Sequence, residues 1–400
     1  MRRRAGIAQD ELRRVNLAAL LSRVHVRGAT SRAVLTAELG LNRSTIGDLV
    51  GHLESLGLVT ESSSAAGGRS GRPSLTVTPR CDVAVLAIAL EVDRIIAAVV
   101  GLGGVELARG ARPHQRGEHD VEHVIESVAQ LAHQVLEAAE VATCLGAGVS
   151  VPGAVRAADG MVRFAPNLGW NNEPFAGRLS ERLALPVAVG NDANLGALAE
   201  HLRGAAVGVD DVAYVTGSVG IGGGFLTAGA ELHGFEGYAG EVGHLLVDSN
   251  GDECRCGAFG CWETKVGENH LLTGAGRLPG GGPEAVAEVI EAATAGDGKA
   301  SASLDAVATW TGVGLRNIVN LFNPEMIVLG GVLARAWTAR PGLVDAGMAR
   351  GALIAPRESV TLRVAALGED SPLLGAAELA FAPLVADPLL LERGVLPAAR

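Results

Sequence analysis

The chain has 400 residues, 48% of them hydrophobic, with a mean hydropathy of +0.28; two or three domains with large cores are expected. No apolar run reaches the roughly 18 residues needed to span a bilayer, and the N-terminal arginines precede no apolar stretch, so neither a membrane protein nor a signal peptide is read. The net charge of −11 is divided: residues 1–80 hold 12 arginines against 6 acids, a net of +6, which leaves −17 on the other 320 residues. A basic head on an acidic body suits a polyanion met by the head alone, an Arg-rich solvated surface being the plain alternative. Five cysteines, three of them clustered, fit a reducing, cytoplasmic compartment and a metal better than a disulfide framework.

Residues 13–24 place apolar side chains at helical spacing, and a second helix is predicted over 31–39 with Ser31 near its start. Gly40, Leu41 and Asn42 make a turn. In the third helix Ile46, Leu49, Val50, Leu53 and Leu56 form one buried stripe, with Asn42 as N-cap and Gly57 as stop. Arg43, Ser44, Thr45, Gly47 and Asp48 then face outward at its N-terminal end, the end that enters the major groove in helix-turn-helix proteins. Residues 58–60 and 74–79 read as strands around a flexible loop carrying Arg69 and Arg72, a wing able to lay guanidinium groups on phosphates or in the minor groove. Residues 1–80 are therefore predicted to be a winged helix-turn-helix DNA-binding domain, with a three-helix interaction module as the alternative. One head binds weakly, so a homodimer or homotetramer on operator DNA, nucleoid-associated, is expected.

From Val83 to Gly110 the pattern is strand, turn, strand, turn, strand. Residues 121–140 form an amphipathic helix, and 144–155 a buried strand running into a Pro-Gly loop, which together make an α/β lobe. Further on, Gly240 to Glu263 concentrates chemistry: Glu241 and His244 lie three residues apart, then come Cys254, Cys256, Cys261 and Glu263. Three thiolates and an imidazole complete a tetrahedral structural zinc site, read here as His244, Cys254, Cys256 and Cys261, although spacing alone does not fix the fourth ligand. The pinned loop would present Glu241, His244 and Glu263 to a polyhydroxylated ligand. One His244 nitrogen could bind metal while the other donates to a hydroxyl.

Several motifs together resemble the ROK family (repressors, open reading frames and sugar kinases): VGNDANLGALAE (189–200), GSVGIGGG (217–224), GYAGEVGH (237–244), CRCGAFGCWE (254–263) and NPEMIVLGG (323–331). The resemblance implies a two-lobed α/β body with the actin-like, ribonuclease-H-like ATPase fold. Lobe 1 would span 81–190, completed by a C-terminal helix within 371–400, and lobe 2, with the sugar pocket and zinc site, 191–370. The basic head on such a body resembles the family's transcriptional repressors, such as those responding to xylose or N-acetylglucosamine. By the same resemblance, Gly153 (through its backbone), Asn191, Asp192, Glu241, His244 and Glu263 bind the sugar, and Asn167 lines the pocket.

In the family's kinases an Asp, two glycines and a Thr on the first hairpin hold the ATP phosphates; the matching positions here are Ala89, Glu91, Val92 and Asp93. Glycine lets backbone N–H groups approach a phosphate, whereas Val and Glu do not, and two added carboxylates repel a triphosphate. Asp192, the base in the kinases, is then vestigial, kept as a hydrogen-bond acceptor for the same hydroxyl. The glycines of 217–224 fit either a second phosphate loop or any tight hairpin, and 276–283 reads as a surface linker. A helix and short strand are predicted over 301–331, broken at Asn323-Pro324, then a strand at 360–367 and a helix at 371–385. The last 15 residues read equally as a disordered tail or an oligomer contact. The expectation is a sugar-responsive regulator, a repressor of carbohydrate uptake or catabolism genes, released from its operator by a monosaccharide or sugar phosphate and not an enzyme. The rival is an ATP-dependent sugar kinase with an accessory DNA head.

Overall fold

The computed structural model describes residues 2–63, 75–114, 120–141 and 143–395, the side chains of 2–9 excepted. The chain starts with α1 (Arg2–Arg27), β1 (Thr30–Ser31), α2 (Arg32–Leu39), α3 (Arg43–Ser55), β2 (Val59–Ser63) and β3 (Leu75–Pro79). The Ser31 hydroxyl accepts from the Val34 amide at the start of α2, and Asn42 from the Thr45 amide at the start of α3. Ile46, Leu49, Val50 and Leu53 are buried as the stripe requires. β3 pairs with both β1 and β2, the layout of a winged helix-turn-helix. α1 begins eleven residues before its apolar periodicity does, because its Arg-rich start favours helix without offering a stripe to bury. Arg69 and Arg72 lie outside the described residues.

Two five-stranded sheets follow, built on the same plan. In the first, β4 (Val83–Leu90), β5 (Arg94–Gly101) and β6 (Val105–Pro113) form an antiparallel meander. After α4 (Val121–Ala139), β7 (Thr143–Val151) pairs parallel with β4. The short strands β8 (Ala154–Val155), β9 (Val162–Ala165) and β10 (Trp170–Glu173) make a small side sheet. Then α5 (Phe175–Leu183) leads into β11 (Val187–Asn191), parallel to β7, for an order β11-β7-β4-β5-β6. β4 is buried on both faces: Val83, Val85, Ala87 and Ala89 join one core, and Ala84, Leu86, Ile88 and Leu90 the other, as a period of two dictates.

The second half opens with α6 (Asp192–Arg203), then the meander β12 (Val212–Gly217), β13 (Ile221–Thr227) and β14 (Ala230–Glu231). The cysteine loop leads to α7 (Glu263–Val266), α8 (Glu268–Gly274), α9 (Gly282–Thr294) and α10 (Gly298–Phe322). Asn323 ends α10 in the left-handed region, φ 44°. β15 (Met326–Gly330), α11 (Gly331–Ala339), α12 (Pro341–Ala349), α13 (Ile354–Ser359) and β16 (Thr361–Val364) complete the order β14-β13-β12-β15-β16. A meander followed by two parallel strands in each sheet is the duplicated plan of the actin-like fold.

α14 (Ser371–Ala386) returns to pack on β4 and β7 of the first sheet. Of the residues after it, three of those described, up to 395, are tied back to the head. Asp387 pairs with Arg14 at 3.6 Å, Glu392 with His52 of α3 at 2.7 Å, and Leu391 is buried against the head. Leu17, Leu20, Leu21 and Val24 of α1, Val85 and Ala87 of β4, and Phe381 and Leu384 of α14 belong to one apolar core, so head and first sheet are fused. Among the described residues no helix is long and apolar enough to cross a membrane.

Candidate sugar and metal site in the cleft

β11 delivers Asn191 and Asp192 to the cleft between the sheets, at the N-terminus of α6. The Asn191 side-chain oxygen accepts from the amides of Ala193 (2.9 Å) and Asn194 (3.1 Å), capping the helix. Its amide nitrogen donates to the Gly153 carbonyl and to Asp192 Oδ1, both at 3.0 Å. The Gly153 carbonyl thus helps to fix Asn191 with one of its two lone pairs. Two bonds to Asp192, from Asn191 and from the Ala193 amide, both fall on Oδ1 and not on Oδ2. Burial, reinforced by the charge of Glu241, pushes its carboxyl from 3.8 up to about 6.

The cysteine loop lies close by, near enough for the charge of Glu241 to act on Asp192. The ligand atoms of His244, Cys254, Cys256 and Cys261 all lie within 4.8 Å of one another. Cys254 Sγ is 3.7 Å from His244 Nδ1, and Cys256 Sγ is 3.7 Å from Cys261 Sγ. A tetrahedral zinc with bonds of about 2.3 Å to sulfur would space its ligands about 3.8 Å apart, so the cluster has the dimensions to hold such an ion. Burial, then the neighbouring thiols, push Cys261 up to about 12. A cation would reverse that, since metal ligation requires thiolates.

His244 turns Nδ1 to the thiols, leaving Nε2 on the cleft side, 4.0 Å from Glu241 Oε2. Glu241 is raised above its ordinary value by burial and by the charge of Glu263, against the pull of His244. Glu263 Oε2 accepts from the Ile221 amide at 3.1 Å, which ties it to the glycine-rich turn. Between Cys261 and Glu263, Trp262 is fully buried and donates to the Trp310 carbonyl at 2.8 Å. Three consecutive residues thus serve metal cluster, core and cleft. Asn167 accepts a hydrogen bond from Arg255, which reaches over from the cysteine loop. Sequence reading missed Arg255 although it stands inside the quoted motif, since only its position across the cleft marks it.

The phosphate side of the cleft is built differently. Ala89, Glu91, Val92 and Asp93 line it at the β4–β5 turn. Arg94 Nε donates to Glu91 Oε2 at 2.6 Å, and Arg94 Nη2 to Glu369 Oε2 at 3.1 Å; Arg335 Nη2 stands 3.6 Å from Glu369 Oε1. A chain of four charges thus joins the first hairpin to α11 across the cleft. Burial raises Glu91 in spite of Arg94. The glycines of 217–224 have a packing reason of their own: a Cβ on Gly222 would meet Ala193 Cβ at 2.8 Å, and one on Gly224 the Ala193 carbonyl at 2.4 Å. They let α6 lie directly on β13.

The family model for ROK, described as the ROK family, matches residues 85–382. The chain belongs to the ROK family. It is 28% identical over 379 residues to the xylose repressor of Bacillus subtilis strain 168, covering 93% of this chain and 96% of that one. Among solved ROK structures, a transcriptional regulator described as a homologue of the E. coli MLC protein superposes with a TM-score of 0.77 at 23% identity, covering 96% of this chain and 99% of the other. That likeness extends the shared fold over the head. A ROK glucokinase from Streptomyces griseus, solved with glucose and AMPPNP, matches at TM-score 0.65 and 28% identity over 74% of this chain and 98% of its own.

The outward residues of α3 stand apart from this cleft. Arg43, Ser44 and Asp48 are exposed and Thr45 is half-buried. Ser44 donates to Asn42 at 2.7 Å, which leaves Arg43 and Asp48 as the freer pair.

Proposed function

We propose that this chain is a sugar-responsive transcriptional repressor that reads operator DNA with residues 1–80, as a homodimer or homotetramer. It would release DNA when a monosaccharide or sugar phosphate fills the cleft. One observation carries the reading: hydroxyl-binding groups converge on one side of the cleft, while charged pairs fill the other side, where a triphosphate would need glycines. In this scheme Asp192 and Glu241 accept from sugar hydroxyls, His244 donates from Nε2, and Glu263 and Asn191 hold the walls. Hydroxyls left unmatched would cost about 1–3 kcal/mol each, which gives the site its selectivity. Zinc, held by His244, Cys254, Cys256 and Cys261, would fix the orientation of the His244 ring and leave no open position for catalysis. Arg43, Ser44, Thr45 and Asp48, with Arg69 and Arg72 on the wing, would contact DNA.

Release requires the sugar to prefer one arrangement of the molecule over another. Xylose is the first effector to try, because a relative covering nearly the whole chain carries that sugar in its name; glucose is the second. The test is a fluorescence-anisotropy titration on an operator selected by the protein from a random DNA library, repeated across a panel of pentoses, hexoses and their phosphates. At least one sugar is expected to weaken DNA binding tenfold or more; no response to any would leave a ligand-blind DNA binder. The rival kinase reading draws on Asp192, which sits at about 6 in the cleft, within reach of general-base duty. A coupled ADP-release assay decides: turnover above about 1 s⁻¹, ordinary for enzymes, would replace the repressor reading.

A further inference from the structure

One helix runs from the cleft to the end of α1. α6 begins at the cleft with Asp192, capped by Asn191, and ends eleven residues later at Arg203, about 16.5 Å away at 1.5 Å per residue. Arg203 is almost withdrawn from solvent. Its Nε donates to Glu378 Oε1 of α14 at 2.6 Å. Its Nη2 donates to the His25 carbonyl at 3.2 Å, and its Nη1 to the carbonyls of Val26 (3.4 Å) and Gly103 (3.2 Å). His25 and Val26 are the closing residues of α1, so the guanidinium satisfies carbonyls that a helix end leaves unpaired.

His25 completes the lock. It is 1% exposed. The Gly103 amide donates to its Nδ1 at 3.0 Å, so Nε2 carries the proton and donates to Glu378 Oε2 at 2.9 Å. Its ring lies 4.8 Å from that of Phe381. Four segments (α1, the β5–β6 turn, α6 and α14) thus meet on the buried His25 and Glu378 and the largely covered Arg203. In the last turn of α6, Glu200 is fully buried and accepts from the amides of Ala205, Ala366 and Leu367 and from the Ser371 hydroxyl. A Cβ on Gly375 of α14 would fall 1.9 Å from the Leu195 carbonyl of α6. The two helices are therefore pressed together and cannot bend independently.

We propose that α6 is the transmission rod of the regulator, with Arg203, Glu378 and His25 as positioning residues. A hydroxyl seated on Asp192 shifts the rod, and the lock hands the shift to α1 and through it to α3. This rests on the sugar-responsive reading above. The lock suits the task because its charges are desolvated: pulling Arg203 away strands Glu378 in the core, which favours a few discrete arrangements over elastic drift.

The test uses the full-length chain, the library-selected operator and xylose or whichever panel sugar binds. Sugar affinity is read by calorimetry, and coupling as the ratio of DNA dissociation constants with and without sugar. Arg203→Lys and His25→Ala are expected to bind sugar within threefold of wild type while the coupling ratio falls at least tenfold. His25→Gln, which can still donate to Glu378, is expected to recover part of it. Folded variants that keep the wild-type ratio would overturn the rod. If no sugar binds the wild type, the sugar reading fails separately, and the rod is judged without sugar by a cycle of Asp192→Asn and Arg203→Lys on operator affinity. Effects that depart from additivity by more than threefold support it; additive effects overturn it.

Discussion

The two sides of the cleft face each other across a few residues yet follow opposite rules. The sugar side keeps groups that are costly to the fold: a carboxyl raised to about 6 by burial, two further carboxylates, and thiols crowded at 3.7 Å. The phosphate side has settled its charges internally, with Glu91, Arg94, Glu369 and Arg335 answering one another. Groups left unsatisfied in a folded chain await a ligand; groups satisfied by their neighbours do not.

The comparison breaks hardest at the cysteine loop. Cys254→Ser, or prolonged chelation, should take bound metal from about one per chain to near zero and weaken sugar binding by roughly 100-fold or more, because His244 loses its anchor. Elemental analysis and calorimetry on the same samples check both; full sugar affinity without metal would separate the two sites.

Next comes Asp192→Asn, which should cut sugar affinity roughly 5- to 150-fold, the worth of one buried hydrogen bond of about 1–3 kcal/mol. It should also raise the melting temperature of the sugar-free protein. The sign follows from the direction of the shift. Between about 3.8 and 6 the folded chain holds a proton the unfolded chain has lost, so the fold loses stability as pH climbs through that window. At pH 7 the cost is fully present, at most roughly 3 kcal/mol and less with solvent screening. The gain in the variant should therefore be largest near pH 7 and vanish below about pH 4, as differential scanning fluorimetry across pH would show.

Rebuilding the phosphate side is a sharper trial with a smaller effect. The quadruple change Ala89→Asp, Glu91→Gly, Val92→Gly, Asp93→Thr should bring out magnesium–ATP binding with a dissociation constant on the order of 1 mM, where the wild type is expected to show none by calorimetry. Binding by the wild type at that level would mean the ion pairs yield to nucleotide. Smallest of all, Glu369→Gln should cost at most about 1 kcal/mol in urea unfolding, since its partners are half-exposed; a much larger loss would show the chain of charges to be a main tie between the lobes.

Local chemistry made much of this legible in the sequence. The α3 stripe and its Asn42 cap, the β4–β5–β6 meander, the Asn323 break and the three clustered cysteines all sit within short stretches where period, cap or spacing speaks directly. What escaped reading depends on distant partners. Arg94 meets Glu369 275 positions away, and Arg203 meets His25 178 away; nothing around either arginine distinguishes it from a solvated one. The glycines at 222 and 224 illustrate the converse, part of a motif with a nucleotide look that has a packing use in seating a helix on a strand. The choice of His244 nitrogen, too, emerges only from the fold.

The apolar core shared by α1, β4 and α14 bears on how such regulators can be re-engineered. Severing the reader from the sensor near residue 80 would bare an oily face on each piece, and both would tend to clump. A working chimera would therefore have to carry the outer face of β4 and the far half of α14 along with the transplanted reader.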